Sequence, residues 1–227
     1  MGIGKKGFTL VEIIVSLAIM TIVAGAVGAF VIAGNNSYMR GNKELTLQEE
    51  AQLTANQMID LIIDVEKGIS FSNLTDQEAV DVDGNVAKDV NGMEVTNASV
   101  SELRLINNDN SYMIRWQGGA GADYADANQV YLYEVTNTKD GEGKVVVGDF
   151  DAAKPALMAE HVSSFSVDLS ELDKRKVVLN MTFTYQDKSY DISETIKLRN
   201  DLSSEPSSIY SWISGIRIIP EHEDLKQ

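Results

Sequence analysis

The chain of 227 residues has no cysteine, so no disulfide can staple it and no thiol chemistry is available to it. It has two histidines, His161 and His222, far apart in sequence. A zinc site needs three or four ligands that include Cys or His, and this chain cannot supply the usual set. Prolines number three, none of them among the first 67 residues, so a long helix there meets no obligatory break. Positive charge is scarce: 19 Lys and Arg stand against 34 Asp and Glu, a formal charge of −15. Residues 1–67 carry five basic and seven acidic side chains, or −2, which leaves −13 for the remaining 160 residues. Such a surface repels nucleic acid and anionic lipid, and no basic patch offsets it, so direct nucleic-acid binding is not expected. Gly118-Gly119-Ala120-Gly121 lacks the lysine and the following helix of a phosphate-binding loop. No internal repeat stands out, and no constellation for enzymatic catalysis is evident.

What the sequence does have is concentrated at its start. Lys5, Lys6 and Gly7 precede Phe8, and an apolar run then continues to Ala33. Glu12 is the one acid in this run, and no further charge occurs before Arg40. As a helix, residues 8–33 measure about 39 Å, enough to cross a hydrocarbon core with some tilt. An ordinary secretory signal has an apolar core of roughly 7–15 residues followed by a small-x-small cleavage site, and neither fits here. A plain membrane anchor accounts for the length and the lysines but not for Glu12, because a carboxylate near the start of a membrane run costs a few kcal/mol or more. Lys5 and Lys6 favour the cytoplasmic side, which places the rest of the chain outside.

Lys5, Lys6, Gly7, Phe8, Thr9, Leu10, Val11 and Glu12 together resemble the type IV prepilin signal of pilins and pseudopilins. The resemblance implies cleavage between Gly7 and Phe8 by a prepilin peptidase, methylation of the new amine, and pairing of Glu12 with the Phe8 amine of a neighbouring subunit. Glycine at position 7 lets a peptidase approach the backbone closely. Once Lys6 leaves with the leader, Glu12 is expected to find no partner within its own helix. Many pilins carry a proline in the stem. This one does not, so Gly25, Gly28, Gly34 and Gly41 are where the stem could bend.

The helix is expected to continue to residue 67. Ala51, Ala55, Met58, Ile59, Ile62 and Val65 recur at helical spacing, with Glu44, Glu49, Glu50, Asp60 and Asp64 off that stripe. Beyond Gly68 the period becomes alternating. Strands are expected at 102–107, 112–117, 129–135, 144–147, 156–162, 164–169, 176–185 and 190–199, with turns at 108–111, 140–143 and Asp187-Lys188. The fold class is therefore α+β, a long N-terminal helix, transmembrane in its first half, packed on an antiparallel β head. The divisions are residues 1–7 as leader, 8–33 as membrane helix, 34–67 as amphipathic stem, 68–200 as β-rich head and 201–227 as tail. Phe165-Ser166-Val167, then 177–183, then Leu198-Arg199-Asn200 are similar in order to the larger minor pilins and the J-type pseudopilin of type II secretion. This looser resemblance implies a minor subunit.

Two features of the head and tail have two readings each. Asp81-x-Asp83-Gly84-Asn85, with Asp89, offers carboxylates for calcium, but Val86 and Gly92 stand where an EF-hand needs Gly and Glu. A β-turn between Val80 and Val86 explains the same residues without a metal. Asp123 with Asp126 is a weaker acidic pair. His161, at a strand end, is expected to be packed or solvated. In the tail, Ser203 to Ser208 reads as a linker, followed by Ile209, Tyr210, Trp212, Ile213, Ile216, Ile218 and Ile219. That patch either folds back over a sheet edge or binds a partner. The functional expectation is a structural subunit of a type IV pilus-like or type II secretion-like filament, without cofactor. The filament's work would be secretion, DNA uptake, adhesion or motility. Its partners would be other pilins, prepilin peptidase, an inner-membrane assembly platform and lipid. The alternative is a pilus-tip adhesin on the same anchor.

Overall fold

A computed structural model describes residues 9–118 and 124–202. The leader residues Lys5, Lys6, Gly7 and Phe8, the acid Asp123 and the tail from Ser203 lie outside the described residues. Helix α1 spans Leu10–Ile63 without interruption, passing through Gly25, Gly28, Gly34 and Gly41. The chain divides into two compact units, residues 1–46 and 47–227, each described by itself.

In the first unit the apolar side chains of α1 point outward on every side. Leu10, Ile14, Met20, Ile22, Phe30 and Ile32 are all exposed. This part is long and apolar enough to cross a membrane, and none of its apolar window is buried in the protein. A helix suits that setting because it satisfies every backbone group within itself. Ser16 Oγ and Thr21 Oγ1 donate to the carbonyls of Glu12 and Ala18 at 2.7 and 2.8 Å, so the hydroxyls of the run are also satisfied locally.

In the second unit the same helix becomes one-sided. Leu47, Ala51, Thr54, Ala55, Met58 and Ile62 are buried along one face at helical spacing. Ile59, expected on this stripe, is only partly buried and packs at its margin. The helix stops at Ile63 rather than 67. Val65 is still buried but belongs to the turn that leads into the sheet.

Ten strands follow. Strands β1 (Gly68–Gln77), β2 (Ala98–Ile106), β3 (Asn110–Gly118), β4 (Gln129–Thr136) and β7 (Ala156–Ala159) form an antiparallel sheet in the order β1-β2-β3-β4-β7. Strands β5 (Thr138–Lys139) and β6 (Val145–Val146) make a short ribbon. Strands β8 (Val162–Asp168), β9 (Lys176–Tyr185) and β10 (Lys188–Lys197) form a second sheet in the order β10-β9-β8. The main core joins the helix stripe to one face of the large sheet (Leu103, Leu105, Ile114, Trp116, Val130) and to Phe165, Leu179, Met181 and Phe183 of the small one.

The expected strands differ from these in instructive ways. Strand β1 was not anticipated, since its Ser, Asn and Thr residues dilute the apolar alternation. Strand β2 begins at Ala98, four residues earlier than expected, for the same reason. Strand β4 is buried on both faces, because Tyr131, Tyr133 and Val135 meet Met113 and Phe150 on the side away from the helix. The turn after β2 is residues 107–109, since Asn110 already pairs with Thr136. The β9–β10 turn is Gln186-Asp187, because Lys188 pairs with Tyr185. Residues 160–161 separate β7 from β8, where one run to 162 was expected.

A fragment starting at Asn42 retains the buried stripe and both sheets, so it is expected to be soluble and β-rich by circular dichroism. Within it, Met58→Ala empties a fully buried position and should cost about 2–5 kcal/mol in urea unfolding.

Candidate processing and assembly site

Thr9-Leu10-Val11-Glu12 opens α1. The first turn of a helix has N–H groups with no intrahelical acceptor, and a Thr with an acid three residues on can satisfy two of them reciprocally. That arrangement is present. Glu12 N–H donates to Thr9 Oγ1 at 3.3 Å, and Thr9 N–H donates to Glu12 Oε2 at 3.0 Å. Thr9 Oγ1 also donates to the same carboxylate oxygen at 3.1 Å. This corrects the expectation that Glu12 lacks a partner in its own helix: the partner is Thr9, not a cation. The signal was in the sequence, since Thr-x-x-Glu before an apolar run is a capping box. The arrangement holds the carboxylate beside the backbone N–H of Thr9.

Residues 4–28 match the family described as the prokaryotic N-terminal methylation motif. The N-terminal segment is of the type IV prepilin or pseudopilin type. The match covers only the N-terminal end of the chain, including most of the apolar run 8–33, and nothing of the head. No curated protein and no solved structure matches the chain.

In the head, Asp81, Asp83 and Asn85 form a tight turn. Val80 and Val86 bridge the two arms. Asp81 Oδ1 accepts the N–H groups of Asp83 and Asn85, both at 2.9 Å, and Gly84 takes a φ of 84°. Asp89 repeats this eight residues later, accepting from Asn91 and Met93 at 2.9 Å, with Gly92 at a φ of 81°. Asp140 does it a third time with Glu142, Lys144 and Gly143. The first two turns are copies of one unit, contrary to the expectation of no repeat. Ala87 donates to Ala79, Val95 to Ala87 and Ala79 to Val95, at 2.9 to 3.0 Å, a closed triangle of backbone bonds. Gln117 fastens this unit to the sheet through both backbone groups of Val80.

Asp81 therefore spends its oxygens on backbone N–H groups, led by that of Asn85, which hold its carboxyl below the usual range. Asp89 is lowered likewise, chiefly by Met93. Asp126 is pushed up by burial and then by the charge of Asp81. Among the described residues no three Asp, Glu, His or Cys side chains gather as a metal group.

His161 is neither simply packed nor solvated. Its Nδ1 lies 2.7 Å from Glu50 Oε2, while Glu50 Oε1 accepts the backbone N–H groups of Glu160 and His161 at 2.7 and 3.2 Å. The imidazole also meets Tyr185 edge-on at 4.6 Å. One helix turn on, Thr54 Oγ1 reaches Met158 O at 3.5 Å. Glu50 thus clasps α1 to the β7–β8 corner, a pairing across 111 residues that sequence spacing could not disclose.

Glu50→Ala leaves two backbone donors without their acceptor and is expected to cost about 1–3 kcal/mol in urea unfolding. Asp81 and Asp89 have folded pKa values below the unfolded value. Their contribution is therefore complete above roughly pH 4 and is lost as pH falls through their folded pKa values. A chain carrying Asp81→Asn and Asp89→Asn should show a shallower loss of stability in that acid limb, read from urea midpoints at successive pH values.

Proposed function

We propose that the chain is a minor pilin or pseudopilin subunit. A prepilin peptidase hydrolyses the Gly7–Phe8 bond on the cytoplasmic side, leaving Phe8 with a free and then methylated amine. Residues 8–33 hold the subunit in the cytoplasmic membrane, with the head outside, until an assembly platform draws it into a filament of stacked N-terminal helices. The observation that carries this reading is the methylation motif at residues 4–28, at the mouth of a helix whose apolar side chains are exposed on all sides. Support for a scaffold role in place of catalysis comes from the structural character of pilin-type proteins. Support for a minor subunit is the order of the head segments around Phe165 and Leu198.

Glu12 gives this proposal its mechanism. In the lone subunit its carboxylate is occupied by Thr9, which reduces the cost of holding it near lipid. In a filament the Phe8 amine of the neighbouring subunit is a stronger partner, because it brings the opposite charge, and a buried ionic group with one partner favours one register of assembly. The pairing then replaces or supplements a hydrogen bond to a neutral donor.

Mass spectrometry of the membrane-bound protein is expected to find a chain beginning at methylated Phe8. A mature chain beginning beyond residue 30 would contradict the proposal. Glu12→Ala should leave insertion and cleavage largely intact and lower the sheared-filament fraction, with Glu12→Asp intermediate at best. Equal incorporation of Glu12→Ala and the native chain would remove Glu12 from assembly.

A further inference from the structure

The apolar part of α1 is longer than the bilayer it would cross. Leu10 to Ala33 as a helix is about 36 Å, against a hydrocarbon core of about 30 Å. Such an excess is taken up by tilt or by a shift along the axis, and anchoring residues at the interfaces decide how. The head-side end of the run has residues of that kind. From Gly34 to Lys43 there is no acid, and α1 continues through all ten residues. Tyr38 and Arg40 are both exposed. Tyrosine has an apolar ring and a polar tip, which suits the boundary between lipid tails and headgroups. Arg40 is the first charge after Glu12. Its side chain has no hydrogen bond or ion pair among the described residues, although Glu44 stands one turn further on. A guanidinium with its donors free matches the oxygens of a phosphate bidentately.

Distance along the helix places both side chains. Tyr38 lies about 7.5 Å beyond Ala33 and Arg40 about 10.5 Å beyond it. The headgroup layer is about 5–8 Å deep on each side of the core. Side chains on a helix lean toward its N-terminus, here toward the bilayer. The Tyr38 ring therefore falls within the layer, and the aliphatic stem of Arg40 carries its guanidinium back to the same depth. The two residues are about 200° apart around the axis. They hold the helix from opposite sides, which fixes its depth whichever way it tilts.

We propose that, in the unassembled subunit, Tyr38 and Arg40 bind phospholipid phosphates of the leaflet on the head's side and so set the depth at which residues 10–33 sit. The guanidinium N–H groups and the Tyr38 hydroxyl donate, and the phosphate oxygens accept. This rests on the membrane reading of residues 8–33 and adds to it a ligand and the two residues that hold it.

Full-length protein with isotope-labelled arginine, placed in phosphatidylcholine vesicles, lets solid-state nuclear magnetic resonance read the coupling between guanidinium carbon and lipid phosphorus. A coupled arginine signal is expected, and it should be lost in Arg40→Gln. No coupled signal, or one that does not weaken in Arg40→Gln, would overturn the proposal. As a second readout, single cysteines at successive positions from 30 to 37 are exposed to a thiol reagent that cannot enter lipid. In the otherwise native chain, labelling should rise from none to complete within about one helical turn. With Tyr38→Gln and Arg40→Gln combined, or in vesicles of a phosphate-free digalactosyl lipid with the same acyl chains, the rise should spread over about two turns or more. An equally sharp rise in all three cases would overturn the proposal and leave the membrane reading standing. Labelling at every position in the otherwise native chain would overturn both.

Discussion

One helix has to satisfy two solvents, and the rest of the molecule is arranged around that demand. From Leu10 to about Ala33, α1 presents an apolar surface on all sides, which fits membrane anchoring, and answers its own polar groups: Ser16 and Thr21 bond back to carbonyls, and Glu12 bonds to Thr9. From Leu47 to Ile62 the same helix carries one buried stripe and a wet remainder. The interval between them is exposed and polar, with Asn35, Asn36, Arg40 and Lys43. The absence of proline fits this design, since the backbone bonds of a lipid-facing helix have no water to replace them.

The head must hold that helix without disulfides. Apolar burial supplies most of the attachment, through Met58, Ile62 and the facing residues of two sheets. Polar ties mark both ends of the packed segment. Near its start, Glu50 receives three contacts from Glu160 and His161. Just past its end, the Glu66 carboxylate accepts Asn108 N–H at 2.9 Å, and Asn107 Oδ1 accepts Glu66 N–H at 2.9 Å. Such side-chain bonds to backbone groups have fixed geometry, so they set where the helix sits while apolar contact sets how strongly it is held.

How much of this was legible in the sequence depended on whether a signal was local. The apolar run, the processing motif and the stripe through Ala51, Ala55, Met58 and Ile62 are periodic or contiguous, and all are visible in the order of residues. The β9–β10 hairpin was visible apart from a one-residue shift of its turn. Strand β1 was missed because an edge strand needs no strict apolar alternation. The Asp81 and Asp89 turns were noticed singly but not as a repeated unit, since their shared feature is a bonding pattern built on Asp and Gly, not a run of identical residues. The Glu50–His161 clasp and the division into two sheets join distant segments, which spacing does not encode. The Thr9–Glu12 capping box was local and readable. Its donors are a backbone N–H and a hydroxyl, not the opposite charge that a carboxylate in an apolar run calls for.

Whether α1 changes solvent along its length can be measured directly, because the chain has no native cysteine. Single cysteines placed at successive positions from 10 to 62 in membrane-embedded, unassembled protein would be exposed to a thiol reagent that cannot enter lipid. The expected result is no labelling from 10 to about 33 and labelling at every position through the polar interval. From 47 to 62 labelling is expected to rise and fall with the helical period, with minima at 47, 51, 54, 55, 58 and 62. Labelling throughout the first segment, or uniform labelling in the last, would contradict it.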